Sequence, residues 1–112
     1  MGYTLVILIE TSIFSHEIDR LLSEDEYWAL QVALFRNPHA GAVIPGSGGC
    51  RKLRWGAGNR GKRGGIRVIY FAVPGQARLL LLYAYDKRKV NDLTRSEVSA
   101  LSSLVVSELS EK

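Results

Sequence analysis

One cysteine, Cys50, stands in a chain of 112 residues, so no disulfide framework can hold this fold together. With no second cysteine or nearby histidine, Cys50 also belongs to no recognisable zinc site, and it reads as a small buried residue. Histidine is nearly as scarce. His16 falls in an N-terminal helical segment and His39 in a loop; neither has a carboxylate partner in view, so both read as structural or exposed. No apolar run approaches the roughly 18 residues that a membrane span needs. Met1 to Ile9 lacks the basic flank and small-residue cleavage site of a secretory signal, which leaves the cytoplasm as the expected compartment. Internal repeats and low-complexity tracts are missing too. With 46% hydrophobic and 23% charged residues the chain is too apolar for disorder, and its length suits a single domain over residues 1–112.

The most informative absence is acidic. Between Tyr27 and Tyr85 there is no Asp or Glu, while Arg36, Arg51, Lys52, Arg54, Arg60, Lys62, Arg63, Arg67 and Arg78 all lie there. That segment carries +9 and the rest of the chain −5, from six basic and eleven acidic residues. A molecule polarised in this way attracts polyanions, nucleic acid first and an acidic protein next. An unspecialised surface would mix the signs.

Tyr3 to Ile9 is a continuous run of β-formers, too short for a helix, and predicts a first strand. From Thr11 or Ser12, Phe14, Ile18, Leu21 and Leu22 recur at helical spacing. Ser23 and Glu26 form a capping box for a second helix, whose apolar stripe is Tyr27, Leu30 and Leu34 and which stops at Asn37-Pro38. Ala40 to Gly65 is glycine-rich, with an apolar patch at Val43-Ile44 and a strand at Arg51 to Trp55. Ile66 to Val73 and Leu79 to Tyr85 are strong strand signals, joined across Pro74-Gly75-Gln76-Ala77 as an antiparallel hairpin. Thr94 and Glu97 cap a last helix that runs to about Leu109. The order β-α-α-β-β-β-β-α predicts an α+β fold, an antiparallel sheet with two N-terminal helices and a C-terminal helix packed against it.

Alternation along the strand puts Lys52 and Arg54 on one face with Leu53 turned to the core. A basic glycine-rich loop with Arg60, Lys62 and Arg63 follows, then a strand that opens with Arg67. The glycines let backbone approach a ligand closely, and the cations offer charge-assisted bonds to phosphate. This is not a nucleotide P-loop, because Gly61-Lys62 is followed by Arg63 and no helix comes next. Trp55 reads equally well as a base-stacking aromatic or as a core cap.

The run Lys62-Arg63-Gly64-Gly65-Ile66-Arg67-Val68-Ile69-Tyr70 resembles the K-R-G-G-x-R-[VI]-I-Y motif of the RelE/HigB toxins of bacterial toxin–antitoxin pairs, most closely the HigB-like branch. A G-G-x-R-K-[LI]-R strand precedes it, and Tyr85 to Lys87 ends the following strand in the family's manner. The likeness extends to Ser23-Glu24-Asp25-Glu26-Tyr27, Asn37-Pro38 and Asp92-Leu93-Thr94, and so spans nearly the whole chain. It implies a RelE-like fold and a ribosome-dependent endoribonuclease that cleaves mRNA by turning a ribose 2′-hydroxyl onto the adjacent phosphate, without a metal or other cofactor. Lys52, Arg54, Arg67 and Arg88 match the family's basic catalytic positions. Arg67 takes the phosphate clamp, since a planar guanidinium holds two oxygens, and Lys52, an amine crowded by like charges, takes proton transfer. Arg51, Arg60, Lys62, Arg63 and Lys87 would bind RNA or ribosome. Thr94 stands where RelE carries a tyrosine, which leaves the general base open; Tyr83 and Tyr85 read as packing residues.

The resemblance also implies two classes of partner: a cognate antitoxin with a helix-turn-helix DNA-binding part, and the ribosome with its mRNA. A membrane or metal partner is not expected. Two other functions fit the same fold: a ParE-like inhibitor of DNA gyrase, which would not need the basic set, and a non-catalytic RNA-binding module.

Overall fold

The computed structural model describes residues 6–58, 65–90 and 92–110. Its elements run β1 (Ile7–Glu10), α1 (Ser12–Leu21), α2 (Glu24–Arg36), β2 (Ala42–Val43), β3 (Arg51–Trp55), β4 (Ile66–Ala72), β5 (Arg78–Asp86) and α3 (Arg95–Ser110), an α+β arrangement in the expected order. The residues Tyr3 to Leu5, expected to begin β1, lie outside the described residues.

Local chemistry sets the helix ends. Thr11 accepts the Phe14 N–H at 3.0 Å and donates to the Leu82 carbonyl at 2.8 Å, so one side chain both caps α1 and ties it to β5. Ser23 and Glu26 form the capping box of α2, and Pro38 disfavours helix at Asn37, where α2 ends. Thr94 accepts from the Glu97 N–H while Glu97 accepts from the Thr94 N–H, which makes the same reciprocal cap for α3. The β4–β5 hairpin turns through Pro74 and Gly75, the latter at φ +71°, with the Gln76 N–H bonded to the Val73 carbonyl. Proline then glycine is what a type II turn requires.

The five strands are ordered β1-β5-β4-β3-β2. The expected antiparallel sheet is found from β2 to β5, but β1 lies parallel to β5, with Ile7 opposite Arg78 and Glu10 opposite Leu81. The helical hairpin carries the chain across one face of the sheet before β2 begins, and three reversals then bring β5 back alongside β1 in the same direction.

Each face buries a core. Leu53, Ile66, Val68, Tyr70, Leu79, Leu81 and Ala84 pack with Phe14, Ile18, Leu30 and Leu34 of the helical hairpin. Ile69, Phe71, Val73, Leu80 and Leu82 pack with Leu101 and Val105 of α3. Ile69 pairs with Tyr83 but Tyr70 with Leu81, so Leu82 is an extra residue in β5. This bulge restarts the alternation. Without it Tyr83 and Tyr85 would follow Leu79 and Leu81 toward the helical hairpin; with it they join the α3 side. Cys50 is free and fully buried, as expected. No helix among the described residues is long and apolar enough to cross a membrane.

Candidate nucleic-acid interface

The register of β3, β4 and β5 assembles the basic side chains. Arg54 is the direct partner of Arg67, and Arg67 of Tyr85; two rungs along, Lys52 pairs with Ile69 and Ile69 with Tyr83. Because side chains alternate across a strand, Lys52, Arg54, Arg67, Tyr83 and Tyr85 share the face on which α3 lies. The two arginines differ in setting. Arg54 is exposed, whereas Arg67 is 5% exposed and donates from Nη1 to the Ile66 carbonyl at 3.2 Å. Arg67 is therefore a fixed charge beneath the surface and Arg54 the one that reaches solvent.

Arg88 lies on the turn that closes β5, three residues past Tyr85, the partner of Arg67. Its backbone N–H donates to Asp86 Oδ1 at 2.9 Å and its guanidinium approaches Oδ2 at 3.4 Å, while most of the side chain stays exposed. Lys87 is anchored through its N–H to the Gly65 carbonyl. Both lysines, Lys52 and Lys87, stand 3.8 Å from Asp92 Oδ1. Asp92 was not recognised as a site residue in the sequence: it is forty residues from Lys52, and only the fold brings them together.

Arg51 faces the other way. Its guanidinium donates to the Gly41 carbonyl at 2.8 Å and the His39 carbonyl at 3.3 Å, which fastens the loop before β2 to β3. Trp55 is half-buried against the helical-hairpin core, away from Lys52 and Arg54. Arg60, Lys62 and Arg63 lie outside the described residues; the preceding residue Gly58 donates its N–H to Glu26 at 2.7 Å, tying this part of the chain to the start of α2. His16 and His39 are exposed. Thr94 is occupied in capping α3.

Tyr85 is the unusual member of the face. Its hydroxyl is, among the described residues, the one fully enclosed side-chain polar atom without a hydrogen-bond partner. Burial pushes the phenol up from its ordinary value and Asp92 adds to this, while Arg67 opposes it. A phenol held neutral is a donor and a poor base. Among the described residues no three His, Cys, Asp or Glu side chains form a group able to hold a metal ion. A groove of about 790 Å³ opens at the other end of the sheet beside Phe35, His39, Phe71 and the β4–β5 turn, and none of Lys52, Arg54, Arg67 or Arg88 lines it.

No protein-family model matches the chain. Among solved structures it is similar to an arginine-to-alanine double mutant of the Escherichia coli toxin RelE in the free state, with a TM-score of 0.58 and 15% identity over 90% of this chain and 97% of that one. The isolated E. coli RelE toxin gives 0.53 and 13% over 89% and 99%. A chain of the intact E. coli RelBE toxin–antitoxin complex gives 0.55 and 14% over 73% and 96%. The fold is that of RelE.

Proposed function

We propose that this chain is the toxin of a toxin–antitoxin pair, of the HigB-like branch, and that it cuts messenger RNA in the decoding site of the ribosome. The observation that carries the reading is the Arg54–Arg67 pair with Lys52 two rungs along, on one face of a RelE fold. Like charges directly opposite each other across a sheet are unfavourable, and a phosphate bound at the exposed Arg54, above Arg67, offsets that cost. In the reaction the 2′-oxygen forms a bond to phosphorus while the bond to the 5′-oxygen breaks, leaving a cyclic phosphate and a free 5′-hydroxyl. Arg54 contacts the phosphate, Arg67 supplies fixed positive charge from below, and Arg88 reaches in from the β5 turn. Lys52 is the amine placed to move a proton. Lys87, with Arg60, Lys62 and Arg63, adds phosphate contacts to mRNA or ribosomal RNA. The partners are a helix-turn-helix antitoxin, the ribosome and mRNA, and the compartment is the cytoplasm.

The test is to induce the chain in cells and map mRNA 5′ ends by sequencing, beside Arg54→Thr and Arg67→Ala variants. New ends within translated regions, in phase with codons, are expected for the parent chain and reduced about a hundredfold or more in either variant, the usual loss for one charge-stabilising donor. Arg54 is exposed, so its variant keeps the test meaningful if Arg67→Ala fails to fold. Growth arrest without such ends would transfer the reading to gyrase inhibition.

A further inference from the structure

On the cationic face two ammonium groups, from either side of the Arg54–Arg67 rung, meet one carboxylate oxygen. Lys52 comes from β3, Lys87 from the turn after β5 and Asp92 from the segment before α3, and both Nζ–Oδ1 distances are 3.8 Å. The lysine side chains are 34% exposed and that of Asp92 is 81% exposed, so the carboxylate is the outermost of the three. Ion pairs this open to water add little to stability. The contact is therefore exchangeable, and what the geometry records is a place where a single anionic oxygen satisfies two lysines. In the register Lys52 lies two rungs to one side of Arg54–Arg67, and Lys87, bonded through its N–H to Gly65, two rungs to the other. An RNA phosphate held at the arginines would therefore come between the same two lysines.

We propose that the Asp92 carboxylate occupies the place of an RNA phosphate oxygen between Lys52 and Lys87, and acts as a built-in competitor that RNA must displace. The proposal rests on the nuclease reading and adds a restraint to it: part of the site's affinity is spent on the chain's own anion. RNA whose phosphate engages the two lysines releases Asp92 to solvent. Removing the charge should tighten RNA binding about fivefold at low salt, the Boltzmann equivalent of one unit charge at about 4 Å in a water-like medium, and the gain should shrink as salt screens it.

The experiment measures binding of a fluorescent 2′-O-methyl RNA oligonucleotide, which cannot undergo 2′-attack, by anisotropy at low and high salt. The parent chain, Asp92→Asn, the Lys52→Ala/Lys87→Ala pair and the triple variant are compared, and mRNA ends are mapped in cells for the parent chain and Asp92→Asn. The expected result is about fivefold tighter binding by Asp92→Asn at low salt, reduced at high salt and lost when both lysines are absent. Equal or weaker binding by Asp92→Asn, or a gain that persists without the lysines, overturns the proposal. So does loss of cleavage in Asp92→Asn with binding intact, which would put Asp92 in the chemistry itself. If the parent chain cuts mRNA in cells and Asp92→Asn binds no tighter, the competitor falls and the nuclease reading stands. If it neither cuts mRNA nor binds the oligonucleotide, the nuclease reading falls as well.

Discussion

Replacing Tyr85 by phenylalanine should stabilise this protein. The Tyr85 ring is 3% exposed and packs with Ile69, Leu82 and Leu101 in the α3-side core, beside the Tyr83 ring at a centroid distance of 5.6 Å. Its hydroxyl, enclosed and without a hydrogen-bond partner, bears the desolvation cost of an unmade bond, roughly 1–3 kcal/mol. Tyr85→Phe keeps the ring and its contacts and removes only the oxygen, which leaves a small void that returns part of the gain. The expected net is about 1 kcal/mol. Unfolding entropy of about 2.1 cal/mol/K per residue over this length makes that a rise in Tm of about 4 °C. Thermal and urea unfolding followed by circular dichroism would measure it. Burial raises the phenol above its ordinary value, which makes it a poor base, so on the nuclease reading cleavage in cells should stay within about twofold of the parent chain. A fall in Tm of 4 °C or more would refute the reasoning, because it would mean that the hydroxyl has a partner in solution. A large loss of cleavage at unchanged stability would refute the second half and make the phenol a donor to substrate.

Arg54→Thr should lose cleavage yet gain stability, by about 0.5 kcal/mol, since it relieves a like-charge cross-strand pair and puts a β-former on an exposed strand position; a loss of stability on denaturant unfolding would count against strain at that pair. Tyr70→Phe should do the opposite of Tyr85→Phe. The Tyr70 hydroxyl donates to the Pro38 carbonyl at 2.7 Å and accepts the Gly41 N–H at 2.9 Å, so its removal strands two groups and should cost about 2 kcal/mol, or about 8 °C in Tm. The pH dependence has a definite sign. Burial is the first cause of raised values for the Cys50 thiol and for the Tyr27, Tyr70, Tyr83 and Tyr85 phenols. The folded state then holds protons that the unfolded chain releases. Stability is complete below the unfolded values and falls as pH rises, gently from about 8.5 where a free thiol ionises and steeply above about 10 where free phenols do. Urea midpoints that stay level from pH 8 to 11 would contradict this.

Much of the fold is legible in the sequence because it is written in local chemistry. Two capping boxes, the Asn37-Pro38 stop, the Pro74-Gly75 turn and the β-forming runs each act over a few residues and survive in the structure. What local chemistry does not encode is partnership. Ile7 to Glu10 reads as a strand whichever neighbour it takes, so its parallel alignment with β5 emerges only when the hairpins are counted. Nor can the bulge be read from Leu79 to Tyr85, where an apolar run with no polar residue leaves the alternation without a mark. The candidate site divides in the same way. Lys52 and Arg54 fall on one face by simple alternation, but Arg51, one residue away, is turned to hold carbonyls. The burial of Arg67 depends on strands and a helix far from it in sequence, and Asp92 reaches the site only by way of the turn that closes β5.

The arrangement of the cationic face is an argument about function in itself. A sheet selected for stability alone would not place Arg54 opposite Arg67 or enclose the unbonded hydroxyl of Tyr85 at the next position across. Each feature costs stability, and together they lie on one rung across three strands. The two lysines that flank this rung are bridged from within the chain, where Asp92 Oδ1 stands 3.8 Å from both Lys52 and Lys87. Exceptions to the rules of packing and pairing that gather in one place mark where a protein gives up stability for binding. On the proposed reading a phosphate bound at this rung would meet the Asp92 carboxylate already held by the two lysines that flank it, and would have to displace it.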